Sequence, residues 1–167
     1  MMENTKNIYF KGNKKFLKCA LLKEHEWYLY RFQKNLRKEE NTNNILGKFI
    51  YRVRKNILGA KLGVYIPAGV FAEGLHIWHY GNIIVNAESK VGKNCVLHGD
   101  NCIGNNGKTE GCPSIGDNVD IGTGAKILGE IQIANGVKIG AGAVVIKSCL
   151  VENATIIGIP GKVIEKK

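Results

Sequence analysis

The chain of 167 residues lacks any long hydrophobic run, and its start, MMENTKNIYFKGNKK, places no apolar stretch after its basic residues. Neither a membrane span nor a secretory leader is therefore expected. The five cysteines, Cys19, Cys95, Cys102, Cys112 and Cys149, are an odd number with no Cys-x-x-Cys pair. That argues against a disulfide framework and against a metal site, and it points to a reducing, cytoplasmic setting. Acidic residues are scarce in the first third. Residues 1–62 carry 15 Lys and Arg against 5 Asp and Glu, whereas residues 63–167 carry 9 of each. The whole net charge of +10 thus belongs to the N-terminal part. Such an excess suits nucleic acid, an anionic membrane surface or an anionic polymer, or it is a solvated helical face. No nucleic-acid motif accompanies it, so no nucleic-acid partner is expected.

What the sequence has instead is a period of six. Ile115, Ile121, Ile127, Ile133, Ile139, Val145, Val151, Ile157 and Val163 follow one another at six-residue intervals, and Ile103, Leu97 and Val91 extend the frame backwards. Four positions after each comes a small or apolar residue, as at Val119, Ala125, Ile131, Val137, Ala143 and Cys149. A period of six fits neither a helix nor a simple alternating strand. It fits short strands joined by corners, with the aliphatic residue pointing to the axis and Gly or Asn accepting the unusual φ of the turn. A single unit buries nothing, so the units must stack into a solenoid, three to a coil. Cys95 and Cys149 fall on inward slots and read as small core residues. Ile77 and Ile83 precede the frame, which slips by two at Ala87–Lys90. It is lost once more between Asn105 and Ser114, where Thr109 stands in an aliphatic slot, so this stretch reads as a projecting loop.

Upstream, residues 1–12 read as loose or extended. From Asn13 the pattern is helical, with an interruption near residues 23–26 and a break at residues 39–44. A second helix is expected from Ile45 to Leu58, with Phe49, Ile50 and Val53 on one face and Gly59 as its stop. These helices need a surface to pack on, either the first coil or a neighbouring subunit.

The segments GLHIWHYGNIIV, GTGAKILG and GIPGKVI resemble the hexapeptide-repeat acyltransferases, in the serine acetyltransferase-like branch, from Leu62 to Lys162. The resemblance implies a mainly β fold: a left-handed parallel β-helix solenoid with a short N-terminal α-helical segment. Residues 1–61 would be the basic helical part and residues 62–167 the acyltransferase domain. The left hand comes from the resemblance alone, since crossovers in general favour the right hand. It further implies acetyl-CoA as donor, a homotrimer with sites between subunits, and His79 as the base that takes the acceptor's proton. Imidazole suits that task because its pKa lies near neutrality. His76 and His98 also lie in the repeat region, while His25 reads as surface. His98 falls one coil after His79 on the same face, where it orients the substrate or fills the stack.

The family pattern is broken at three places. The carboxylate fifteen residues before the base is Val64, the acid just before it is Trp78, and the loop histidine is Cys112. Glu73, Asp100 or a backbone carbonyl is then left to orient His79. These losses, with Trp78 and Tyr80 flanking the base, suit the stacking of a sugar ring. The expected activity is therefore O-acetylation of a sugar hydroxyl in surface polysaccharide synthesis. Serine O-acetylation is the alternative, and a non-catalytic β-helix assembly protein is the alternative of another class. By family correspondence the donor meets Asn105, Thr123, Gly124, Ala125 and Ala141, with Lys162 near its phosphates and Lys166 and Lys167 behind. The basic helices are expected to make a peripheral contact with an anionic membrane.

Overall fold

A computed structural model describes residues 2–164 apart from residue 109, with side chains from residue 5 onward. Four helices come first: α1 (Met2–Tyr9), α2 (Asn13–Leu22), α3 (His25–Asn41) and α4 (Ile45–Leu62). Short strands follow, numbered in chain order, in three sheets. The first stacks β1 (Val64–Tyr65), β3 (Ile83–Val85), β6 (Cys102–Gly104), β9 (Lys126–Leu128) and β12 (Val144–Val145). The second stacks β4 (Lys90–Val91), β7 (Ser114–Ile115) and β10 (Gln132–Ile133). The third stacks β2 (His76–Ile77), β5 (Val96–Leu97), β8 (Asp120–Ile121), β11 (Lys138–Ile139), β13 (Thr155–Ile157) and β14 (Lys162–Ile164). All pairings are parallel except the last, β13 with β14.

From β2 to β9, each strand pairs with the one three later. Ile121 lies beside Ile139, Ile115 beside Ile133 and Ile127 beside Val145, each eighteen residues apart. Where the 105–114 excursion intervenes the step grows to twenty-four, as from Ile103 to Ile127. The aliphatic slots from Val91 to Val145 are buried, and so is the second row of Val119, Ala125, Ile131, Val137 and Ala143. One corner is built throughout from residues with positive φ: Gly74, Asn94, Asn118, Gly136 and Asn153. The stack leaves little room there, since a Cβ on Gly136 would meet Asn153 Oδ1 at 2.2 Å.

The frame departs from the sequence expectation after Val145. Val151, Ile157 and Val163 are exposed, and Cys149 and Ile156 point inward instead. Cys149 bridges to Ile133 and Ile156 pairs with Ile139. The hexad cannot continue because β14 folds back antiparallel on β13 and covers part of the open edge.

The helices differ from expectation at both ends. Residues 2–9 form α1 rather than a loose segment, because Tyr9 and Phe10 are buried in the shared core. Gly59 does not stop α4, which runs on to a left-handed cap at Gly63. Its role is close packing, since a Cβ there would lie 2.5 Å from Val64 O and 3.1 Å from the Phe32 ring. The helices pack on the first coil. Arg37, buried on α3, donates to the Phe71 and Ala72 carbonyls and pairs with Glu40. The Tyr9 hydroxyl accepts from Gln33 Nε2 and from Ile77 N. Buried Glu39 joins α3 to Arg52 and Lys55 of α4. Among the described residues, no helix is long and apolar enough to cross a membrane.

Candidate functional site

β2 ends at Ile77, and Trp78 N still donates to Leu97 O at 2.8 Å. The chain then turns, with Gly81 and Asn82 at positive φ, and His79 stands exposed on that corner. Below it lies Gly99, also at positive φ. A Cβ on Gly99 would come 3.2 Å from His79 O and 3.4 Å from His79 Cβ, so glycine is what lets the two corners stack. Buried Asn101 holds this corner, accepting from Gly99 N and donating to Gly122 O.

The sequence gives no hint of the group above the base. His25, the first residue of α3, stacks on His79 with ring centroids 5.9 Å apart and planes 26° apart. It is exposed, as expected, but the surface it lies on is the one beside the base. Its Nδ1 lies 3.3 Å from Glu26 Oε2. Together with Trp78, Lys11 and Lys15, these residues line a cavity of about 440 Å3 between the helices and the first coil.

Trp78 is half exposed and sits in a column on the outer face of the third sheet. It lies 4.7 Å from the His76 ring and 6.1 Å from the His98 ring, nearly parallel to the latter. Burial, and then the nearby His98, hold the His76 imidazole below its ordinary pKa. His98 is better oriented than His79, because its Nε2 lies 2.8 Å from Asp120 Oδ1. Such a pair fixes the tautomer and leaves Nδ1 free to take a proton. Asp120 was missed in the sequence, although it directly precedes the spine residue Ile121, as His98 directly follows Leu97.

The expected orienting carboxylates are engaged elsewhere. Glu73 lies on a different corner, before β2, with Lys93 at 3.3 Å. Asp100 shares the His79 corner but faces Lys126 at 3.7 Å. Among the described residues, no carboxylate hydrogen-bonds to His79. Tyr80 is exposed on the same corner. Val64 is buried in β1, and Cys112 lines a separate cavity of about 430 Å3 with Glu88 and Glu130.

The donor positions fall mostly on the His79 corner. Gly124 N donates to Gly99 O and Gly142 N to Thr123 O, so His79, Gly99, Thr123 and Ala141 follow down one edge of a single chain. Three coil steps at ~4.8 Å give roughly 14 Å from His79 to Ala141. Thr123 and Ala141 are exposed and Gly124 is partly so. Ala125, by contrast, is wholly buried; its N–H donates to Gly122 O and its C=O accepts from Cys102 N. Asn105 and Lys162 are exposed, and Lys166, Lys167 and Thr109 lie outside the described residues. Cys19, Glu24 and Glu26 cluster within 4.8 Å. Burial and the hydrogen bond to Glu24 push the Cys19 thiol up to about 11.

No family model matches the sequence, and no curated protein matches it. Solved structures do. Serine acetyltransferase from Brucella abortus in complex with coenzyme A superposes with a TM-score of 0.75 at 23% identity, over 98% of this chain and 66% of that one. The Neisseria gonorrhoeae serine acetyltransferase gives 0.70 at 28% identity, over 99% and 65%. The soybean apoenzyme gives 0.72 at 23%, over 98% and 67%. The fold is that of the serine acetyltransferase-like branch of the hexapeptide-repeat acyltransferases. The chain spans about two thirds of the length of these serine acetyltransferases.

Proposed function

We propose that the protein is an acetyl-CoA-dependent O-acetyltransferase. The similarity along nearly the whole chain to serine acetyltransferases, one of them bound to coenzyme A, carries this reading. His79 takes the proton of the acceptor hydroxyl as its oxygen attacks the thioester carbonyl, and coenzyme A leaves as the thiol. His25 packs against the imidazole from above. The open corner of Thr123, Gly124 and Ala141 suits a narrow chain of amides, and Asn105 and Lys162 are assigned to the donor by the family correspondence. On this reading the three sheets are a left-handed β-helix, preceded by the helical segment, and the chain works as a cytoplasmic homotrimer.

The neighbours support L-serine as acceptor better than the sugar hydroxyl expected from the sequence, and one gonococcal structure holds serine. One observation favours the sugar. Trp78 and Tyr80 are both about half exposed beside His79, and among the described residues no carboxylate bonds to that base to help hold a small zwitterion.

Thiol release from acetyl-CoA tests both, with L-serine set against nucleotide-linked and lipid-linked sugars. Turnover is expected with one acceptor class, and His79→Ala should lower it by about 10²–10⁴-fold. Serine turnover selects the first acceptor and sugar turnover the second. Equal rates in wild type and variant would remove His79 from catalysis. Absence of both turnover and coenzyme A binding would leave a non-catalytic assembly protein.

A further inference from the structure

The helical part carries a surface that acetyl transfer does not use. One side of α4 is buried at Lys55, Gly59 and Leu62. On the opposite side Ile45, Phe49, Val53 and Ile57 recur every four residues, with Leu46 and Ile50 alongside, and all six are exposed, from 38% to 87%. At about 3.6 residues per turn they make one continuous apolar stripe. Cations border it on both sides, Arg54 and Lys61 on one and Arg52, which is paired with Glu39, on the other. α4 contains no Asp or Glu.

Beside the stripe, a groove of about 610 Å3 runs between α3 and α4. Arg31, Lys34, Lys38, Arg54 and Lys61 line it, with Ile57 at its edge, and its lining includes no carboxylate. Lys38 and Lys34 lie over the rings of Tyr51 and Tyr30 rather than beside acids.

We propose that α4 and this groove dock on an anionic lipid bilayer, with α4 lying in the plane of the surface. The stripe enters the boundary between headgroups and acyl chains, and the groove's ammonium and guanidinium groups take lipid phosphates. Charge complementarity selects this occupant. A second copy meeting the same face about a two-fold axis would bring the groove's cations, which have no carboxylate in its lining, against their own counterparts. A nucleic acid would engage the groove but have no use for six outward apolar side chains.

The test sediments the full chain with vesicles of phosphatidylcholine alone and of phosphatidylcholine mixed with phosphatidylglycerol. Binding is expected to the anionic vesicles only, weakening at high salt. The double variant Phe49→Ser, Val53→Ser, which changes no charge, should lower the partition coefficient about tenfold or more. Arg54→Gln with Lys61→Gln should also lower it, with circular dichroism and melting confirming that each variant is folded. Three results would overturn the proposal. One is no binding by the wild type, and another is equal binding by the serine variant, which would mean a purely electrostatic surface such as one for nucleic acid. The third is a wild-type assembly that ignores vesicles and is dissociated by the serine variant, which would make a second copy the occupant. The assay uses neither acyl donor nor acceptor, so its outcome is separate from that of the transferase reading.

Discussion

In the stacked sheets, every aliphatic slot from Val91 to Val145 points inward, and the net charge of residues 63–167 is zero. On α4, six large apolar side chains point outward, in a region of net charge +10. The sheets close their own core because each coil supplies the surface that buries the next. The helices have no such repeat. They bury one side on the first coil through Tyr9, Phe32 and Leu36 and leave the other to whatever surface the protein meets. Apolar periodicity thus marks the core in one region and an outward face in the other, and burial is what tells them apart.

The largest effect on this contrast is expected at the joint between the two regions. Arg37→Ala leaves the Phe71 and Ala72 carbonyls and Glu40 without their buried partner, and should cost about 3–5 kcal/mol in denaturant unfolding. A loss confined to the helices, with the sheets melting as in wild type, would show that the coils stand without them. Next come two isoleucines of opposite burial. Ile127→Ala, inside the stack, should cost about 2–5 kcal/mol, whereas Ile57→Ala on α4 should stay within about 0.5 kcal/mol in the free protein. Equal costs would mean that α4 is already covered in solution.

The smallest effect is on pH dependence, and it separates the regions again. The folded His76 pKa lies below its ordinary value of about 6.5. Its contribution is therefore complete above that pH and is lost as pH falls through it, because the unfolded chain binds the proton first. For Glu39 in the helices, burial opposes ionisation, but the bonds from Arg52 and Lys55 win and hold its pKa below the usual range. Its contribution is lost only as pH falls below about 4.3. His76→Gln should flatten stability between pH 7 and 5 and leave the more acidic limb unchanged. A slope unchanged between pH 7 and 5 would assign it to another group.

Much of the stacked region was legible because its burial is local and periodic. The spacing of Ile115, Ile121 and Ile127 set strand, corner and register together, and the Asn and Gly corners followed from backbone sterics. The end of the frame was not legible, since Val151, Ile157 and Val163 keep the period while the chain turns back on itself. The site divided in the same way. His79 was singled out through the family resemblance, and its place one position beyond His98 followed from the coil register.

By itself the sequence determined the stacking period, the inner rows, the charge asymmetry and the helical character of residues 13–58. Only the tertiary structure decided that His25 lies on His79, that Asp120 holds His98, that Glu73 belongs to another corner, and that the apolar side of α4 faces outward. The physical reason is one of range. A repeat is specified by neighbours six residues and one coil away. The other contacts join elements up to tens of residues apart, whose meeting depends on how α3 and α4 settle on the first coil, and no spacing along the chain encodes that.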